Sequence, residues 1–162
     1  MAAVLGIDPG VNGGLAVIDG SARPIHVQAF NPDMTRTELK RRILQAISAL
    51  RALNGNRVWL EKVGYRPTDG GQGAFTFGRV YGMLEMGVLM CDIELHDVTP
   101  LVWQAELECL TAGNKNVSKR KAMDLFGAYL PKITHAIADA LLLAEYGRRR
   151  LRDAERRNIP AL

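Results

Sequence analysis

The chain has 162 residues, of which 48% are hydrophobic and 23% are charged. These values are typical of a globular protein with one core and exclude both intrinsic disorder and a fibrous repeat. Lysine and arginine outnumber the acidic residues by 21 to 17, and the resulting net charge of +4 permits a polyanionic partner without requiring one. We expect a single domain.

The first predicted elements form an antiparallel meander. Residues 2–19 (AAVLGIDPGVNGGLAVID) are typical of two apolar strands around a glycine-rich turn, and Asp8 ends the first strand. Residues 22–30 alternate between apolar and polar positions, which predicts a third strand.

Helices and strands alternate after the meander. A helix capped by Thr35 and Glu38 runs to Leu53, and an apolar strand over residues 57–63 contains Glu61. The later pattern predicts, in chain order, a glycine-containing helix over 74–90, a strand over 93–99, a short helix over 100–110, and helices over 118–130 and 133–157. This order predicts an α/β fold in which a mixed five-stranded sheet, with antiparallel strands first and parallel strands later, is flanked by helices.

Hydropathy and cysteine usage point to an intracellular protein without a membrane partner. No apolar run approaches the roughly 18 residues of a membrane span, and the N-terminus has no signal-peptide pattern. Cys91 and Cys109 have neither CxxC nor metal-ligand spacing, which favours reduced thiols and argues against structural zinc.

Three carboxylates stand in otherwise apolar elements. They are Asp8 in the first strand, Glu61 in the fourth strand and Asp139 in the last helix. One such acid alone is explained equally well as a turn residue, a cap or a hydrogen-bonded core acid. Because a buried lone carboxylate is costly unless it is paired, protonated or bound to a metal, three of them predict that the side chains converge.

Several segments carry a resemblance to a known family. LGIDPG, GGLAVID, WLEKV, FTFGRVYGML and ADALLLAEYG resemble, in this order and across residues 3–147, the RuvC family of Holliday junction resolvases in the ribonuclease H-like superfamily. Actin-like ATPases and sugar kinases share a GIDxG start, but they need a duplicated domain that 162 residues do not provide. The resemblance implies one ribonuclease H-like nuclease domain over residues 1–162, with a basic helical tail at about 148–162.

The resemblance also implies a reaction and its cofactors. A crossover junction endodeoxyribonuclease of this kind resolves four-way DNA junctions by symmetric paired nicks, in DNA recombination and repair. Asp8, Glu61 and Asp139 would bind two Mg²⁺ or Mn²⁺ ions per active site, about 4 Å apart, and no small-molecule cofactor is expected. Ala136 occupies a position where the family commonly has an acid or a histidine. His135, four residues before Asp139 and on the same helix face, is therefore the candidate for a further ligand or a proton carrier, against the alternative of an ordinary surface histidine.

Aromatic and basic residues are candidates for DNA binding. Tyr65 and Phe75 flank the glycine-rich loop where related proteins stack an aromatic side chain on bases, whereas Phe77 is expected to face the core. The basic candidates, for which a solvated surface is the alternative, are Arg79, Lys115, Lys119, Arg120 and Lys121. Lys119 matches a catalytic lysine of the family.

Two symmetric nicks need two active sites, so the resemblance implies a homodimer acting on branched DNA. The glycines of residues 78–87 would lie at the dimer surface, with core packing inside one subunit as the alternative. Two other functions remain open, a flap or fork debranching nuclease and a catalytically decayed junction-binding protein. The expected location is a bacterial cytoplasm or a phage-infected cell, with an organelle as a further possibility.

Overall fold

The computed structural model describes residues 2–64 and 70–157. Within these ranges the chain forms, in order, β1 (Val4–Asp8), β2 (Gly14–Ile18), β3 (Pro24–Ala29), α1 (Arg36–Ala52), β4 (Arg57–Glu61), α2 (Gly70–Leu89), β5 (Glu94–Val98), α3 (Pro100–Glu106), α4 (Asn116–Phe126) and α5 (His135–Arg157). None of the helices in this part of the chain combines the length and the apolarity of a bilayer-spanning segment.

The strands form one mixed sheet in the order β3-β2-β1-β4-β5. β1 pairs antiparallel with β2, and β2 with β3, whereas β1 pairs parallel with β4, and β4 with β5. The predicted α/β fold with three antiparallel strands followed by parallel ones is confirmed. In the parallel pair of β1 and β4, Ile7 lies opposite Leu60, so Asp8 and Glu61 follow directly at the same edge of the sheet.

Helices cover both faces of the sheet, and each face has its own core. Alternate residues of β1 point to opposite sides: Leu5 and Ile7 join a cluster with residues of α1 and α2, whereas Val4 joins a cluster with residues of α3, α4 and α5. This alternation follows from the two-residue period of a strand. It explains why the central strands are apolar at almost every position until their final carboxylates.

Gly6 allows α5 to lie directly on β1. A Cβ atom at this position would be 2.3 Å from the carbonyl oxygen of Ala140 and 2.4 Å from the backbone nitrogen of Ala144. Real Cβ atoms do not approach backbone atoms so closely, so any larger residue would push the helix away from the strand. The close approach brings Asp139, the neighbour of Ala140, to the end of β1.

We expect Gly6→Ala to lower the free energy of unfolding by about 1 to 3 kcal/mol, the usual cost of overpacking a core. Urea unfolding of the two proteins would measure the difference. Gly71→Ala is the matched control, because a Cβ at Gly71 meets nothing within 4 Å in the described ranges. Equal stability of Gly6→Ala and the wild type would contradict the close packing of β1 and α5.

Several predicted helix boundaries were wrong, including the start of α5 at His135 rather than at 133. α2 begins at Gly70 rather than at 74, and its additional first turn, residues 70–73, is exposed. α3 ends at Glu106 rather than 110, since Glu108 adopts a left-handed conformation with φ of 55°. α4 spans Asn116–Phe126 rather than 118–130, and at its start the side chain of Asn114 accepts a hydrogen bond from the Asn116 backbone at 3.1 Å.

Candidate active site

Asp8 lies at the C-terminal end of β1, with only 8% of its surface exposed. The Gly10 backbone N–H donates to Asp8 Oδ1 at 3.0 Å. A Cβ at Gly13 would lie 2.7 Å from Asp8 Cγ, so the return into β2 requires glycine there. The Pro-Gly turn thus ends the strand and also orients the Asp8 carboxylate. This hydrogen bond is common in turns and does not by itself require a functional role for Asp8.

Glu61 lies at the end of β4, beside Val98 of β5, and is also 8% exposed. Its Oε1 accepts a hydrogen bond of 2.9 Å from the indole Nε1 of Trp103, which is fully buried. Sequence reasoning missed Trp103, for which the only signal was an apolar position in the short helix after Pro100.

Asp139 reaches the same edge of the sheet from α5 and is partly buried. Its Oδ1 is shielded from solvent and has no hydrogen-bond partner among the described residues. The buried Ser118 hydroxyl lies beside the carboxyl and favours its ionised form. An unpaired buried oxygen is costly, which makes it available to an incoming cation or donor.

The pKa values of the three carboxyls show that these groups interact. Burial raises the pKa of Asp8 to about 6, partly offset by the Gly10 hydrogen bond, and the Asp139 charge raises it further. Burial likewise raises the pKa of Glu61 to about 8, with the charges of Asp8 and Asp139 adding to the effect. Burial also raises the pKa of Asp139. The charge of Asp139 therefore acts on both Asp8 and Glu61, which lie side by side at the same edge of the sheet.

Two basic side chains, Lys115 and His135, influence this carboxylate group. Lys115, exposed just before α4, lowers the pKa of Asp8, Glu61 and Asp139. His135 is the exposed first residue of α5 and lowers the pKa of Asp139. Lys119 lies one turn after Lys115 and is partly buried, so the lysine that the structure brings to the carboxylates is Lys115.

A cleft of about 750 Å³ opens beside the carboxylates. Its walls come from the β1–β2 turn, the end of β4, the start of α2 and the segment before α4. The lining residues include Asp8, Asn12, Glu61, Gln72, Phe77 and Lys115.

The aromatic candidates differ in their environments. Phe75 on α2 is 71% exposed, which suits stacking on a base. Phe77 lines the cleft and lies 6.1 Å from the Tyr81 ring, measured between centroids. Tyr65 falls in residues 65–69, outside the described residues.

The basic candidates do not form one continuous group. Arg120 and Lys121 lie on α4 and line a separate polar pocket of about 340 Å³, where Lys121 is 3.9 Å from Glu108. Arg79 is exposed on α2 and lines an apolar groove between α1 and α2.

Two arginines in the basic C-terminal part of α5 form ion pairs with a buried glutamate of the same helix. Burial alone would raise the pKa of Glu145, but hydrogen bonds from Arg148 and Arg149 hold it below its usual value. The shortest N–O separations in these pairs are 2.7 and 2.8 Å, and Glu145 is only 3% exposed. Glu145 was not among the residues predicted from the sequence, although its spacing of three and four residues to the two arginines indicates ion pairs on one helix face.

The carboxylate group fits a hard divalent cation in its donor chemistry but not in its present arrangement. Asp8, Glu61 and Asp139 offer the oxygen ligands that Mg²⁺ and Mn²⁺ take, and the Asp139 oxygen lacks a partner among described residues. However, within residues 2–64 and 70–157 no group of three or more acidic, histidine or cysteine side chains is arranged to hold an ion.

No protein-family model matches the chain, and no curated protein matches its sequence. Solved structures do match. RuvC of T. thermophilus in complex with Holliday junction substrate has a TM-score of 0.70 at 18% identity, over 94% of this chain and 96% of that chain. A further Thermus thermophilus RuvC structure has a TM-score of 0.67 at 19% identity, with the same two coverages. The yeast mitochondrial Holliday junction resolvase Ydc2 has a TM-score of 0.55 at 15% identity, over 91% of this chain and 78% of that chain.

These matches, together with the strand order, show that the chain has the α/β fold of the ribonuclease H-like type. Its particular form of that fold is the one found in the RuvC resolvases, as the sequence predicted.

Proposed function

We propose that this protein is a metal-dependent endonuclease that resolves four-way DNA junctions by symmetric paired nicks. The proposal is supported by Asp8, Glu61 and Lys115, which line one open cleft, and by Asp139, whose charge acts on both Asp8 and Glu61. The fold supports it, since one matching structure holds a Holliday junction substrate.

The site residues have distinct roles in this proposal. Asp8, Glu61 and Asp139 would hold two Mg²⁺ or Mn²⁺ ions, with His135 as a further ligand in place of Ala136. Ions held by these residues would supply Lewis-acid activation of a water and charge stabilisation at the leaving 3′ oxygen. Attack of that water on phosphorus would break the P–O3′ bond and leave 5′-phosphate and 3′-hydroxyl ends. The chain supplies the negative charge that attracts the ions and the His135 imidazole as a proton carrier.

The cationic residues would bind the DNA backbone. Lys115 stands beside the carboxylates, where its charge favours a scissile phosphate, and the family resemblance assigns a similar catalytic role to Lys119. Arg79, Arg120 and Lys121 would bind phosphates further from the site. Phe75 would stack on a base, and Tyr65 is the second proposed stacking residue.

Cleavage of a labelled synthetic junction tests the proposal. The junction, a linear duplex and a flap of equal strand length would be incubated with Mg²⁺ and, separately, with EDTA. We expect Mg²⁺-dependent nicks on the junction only. Flap cutting without junction preference would assign a debranching nuclease, and tight junction binding without nicks would assign a decayed, binding-only protein.

We propose a homodimer whose interface is the groove between α1 and α2. The groove, of about 740 Å³, contains the exposed side chains of Leu44, Met86 and Met90. A Cβ at Gly78 or Gly82 would meet nothing within 4 Å in the described part of the chain, so packing inside one subunit does not explain these two glycines. A second copy is the occupant that symmetric cleavage requires, and bare glycines allow its helix to approach closely.

We expect Met86→Glu to convert the dimer into folded monomers, because it places a charge in the middle of this groove. Met86 is 54% exposed, so the substitution costs little in the isolated chain. Light scattering coupled to gel filtration would measure the mass. Met123→Glu, on α4 and 37% exposed, is the control and should remain dimeric. A Met86→Glu protein that keeps the mass of a dimer would place the interface elsewhere.

A further inference from the structure

Trp103 is the one side chain that holds Glu61 by a hydrogen bond in the described part of the chain. Its indole Nε1 donates to Glu61 Oε1 at 2.9 Å, and both groups are buried. An indole nitrogen is a donor only, so the N–H needs an acceptor once it is removed from water. The carboxylate therefore satisfies the tryptophan, and the tryptophan fixes one oxygen of the carboxylate.

The fold brings Trp103 to this position through the neighbouring strand. β5 ends at Val98, opposite Glu61, and the Val98 carbonyl accepts a hydrogen bond of 2.8 Å from the Lys62 backbone. Thr99 is then the N-cap of α3, and Pro100 occupies its first turn. The first turn of α3 thus returns the chain to the sheet edge and places Trp103 beside the end of β4.

The indole also belongs to the core that carries the third carboxylate. Trp103 is in the same apolar cluster as Ala138 and Ala140, the two residues that flank Asp139 on α5. It therefore packs among the elements that present Glu61 and Asp139. A shift of this ring would change the separation of the two carboxylates as well as the orientation of one of them.

The three carboxylates differ in their hydrogen-bond partners. Asp8 accepts from the backbone of Gly10, and Asp139 Oδ1 has no partner among the described residues. Glu61 is held by a side chain through Oε1, which leaves Oε2 available to a cation. The Trp103 hydrogen bond can therefore be removed by one substitution without changing the backbone at the site.

We propose that Trp103 is a positioning residue that orients the Glu61 carboxylate for divalent metal binding. This inference rests on the proposed function, because it assigns a role within the same site. Hydrogen-bond partners that orient metal ligands typically contribute 10-fold to 100-fold to metal affinity or activity. The competing role for Trp103 is core packing alone.

Matched substitutions at the two tryptophans separate positioning from packing. Trp103→Phe removes the N–H and keeps an aromatic ring, and Trp59→Phe makes the same change in the same core cluster, where Trp59 stacks on His96 at 4.7 Å. Two quantities are measured for each variant. Electron paramagnetic resonance in the absence of DNA gives the Mn²⁺ dissociation constant, and a cleavage assay gives the single-turnover rate on the junction.

We expect Trp103→Phe to weaken Mn²⁺ binding and to slow cleavage by about 10-fold to 100-fold, while Trp59→Phe changes neither by more than about 2-fold. Equal behaviour of the two variants would overturn the inference and leave the proposed function intact. A wild-type protein that neither binds Mn²⁺ nor cuts the junction would remove the proposed function and this inference with it.

The indole resonances provide a test that does not depend on the folding of Trp103→Phe. The wild-type protein has two tryptophans, so its ¹⁵N spectrum contains two indole N–H signals, which Trp59→Phe assigns. Glu61→Gln should move the Trp103 signal, and the control Glu106→Gln, on α3, should not. If the Trp103 signal is unchanged by Glu61→Gln, the hydrogen bond does not hold Glu61 and the inference is wrong.

Discussion

Asp139→Asn is expected to lower the single-turnover rate of junction cleavage by at least about 1,000-fold, more than the loss of a residue that only orients a ligand. The substitution replaces a charged oxygen donor by a neutral amide of the same shape. It also relieves the repulsion between Asp139 and the other two carboxylates, so the fold should be retained. Quenched-flow cleavage of a labelled junction in Mg²⁺ measures the rate.

The control for this prediction is Asp153→Asn, which changes an acid on the same helix. Asp153 is partly exposed, and its Oδ1 lies 3.7 Å from Nε of the neighbouring Arg152. In sequence it is 14 residues after Asp139. It should cut the junction at the wild-type rate. Asp139→Asn should still bind the junction in a gel shift, since removing a negative charge near the phosphates does not weaken binding. Cleavage by Asp139→Asn within 10-fold of the wild-type rate would exclude Asp139 from the reaction.

Glu61→Gln should make the metal-free protein more stable at alkaline pH. Burial, together with the Asp8 and Asp139 charges, raises the Glu61 pKa from 4.5 to about 8, so the ionised carboxylate destabilises the fold. Below pH 4.5 the Glu61 carboxyl is protonated in the folded and in the unfolded protein, so it does not lower the free energy of unfolding. The free energy of unfolding then falls as the pH rises from 4.5 through 8, where the folded protein also loses this proton. Since one pKa unit corresponds to about 1.4 kcal/mol, the variant should gain about 2 to 5 kcal/mol at pH 9.

Urea unfolding in EDTA at pH 4 and pH 9 would measure this gain, with Glu155→Gln as the control at an exposed position of α5. The two variants should match the wild type at pH 4, and only Glu61→Gln should exceed it at pH 9. Saturating Mg²⁺ should stabilise the wild type and reverse the order, because a ligand that binds only the folded state stabilises it. A Glu61→Gln protein less stable than the wild type at pH 9 in EDTA would contradict a destabilising carboxylate group.

The sheet and its acidic edge could be predicted from local patterns. Residues 2–8 are apolar up to the carboxylate of Asp8, and the predicted strand 57–63 contains Glu61, so a parallel pairing of the two strands places the acids at one edge. The predicted end of this strand was wrong, because β4 ends at Glu61 rather than at residue 63. Thr35 was recognised as a cap from its spacing to Glu38, whose backbone N–H donates to the Thr35 hydroxyl at 3.1 Å. Such features depend on neighbours in sequence or on the two-residue period of a strand.

The support of the site could not be predicted in the same way. The Trp103 hydrogen bond to Glu61 joins residues 42 positions apart and depends on the turn that follows β5. The position of Lys115 at the carboxylates, rather than Lys119, depends on where α4 begins, and helix boundaries are weakly encoded. Similarly, Gly78 and Gly87 look alike in sequence, but a Cβ at Gly78 meets nothing within 4 Å in the described ranges, whereas one at Gly87 would lie 3.1 Å from Ile43 Cδ1.

In the proposed reaction, two such sites act together on one four-way junction. Cleavage of a supercoiled plasmid with an extruded cruciform tests this joint action. Two symmetric nicks made within one bound complex convert the plasmid into linear DNA, whereas independent single nicks release the supercoiling, reabsorb the cruciform and leave a nicked circle. The proposal predicts that Mg²⁺ yields mainly linear product from the wild type and no product from Asp139→Asn. Nicked circles as the only product, or equal cutting of a plasmid without the cruciform, would contradict junction resolution by paired nicks.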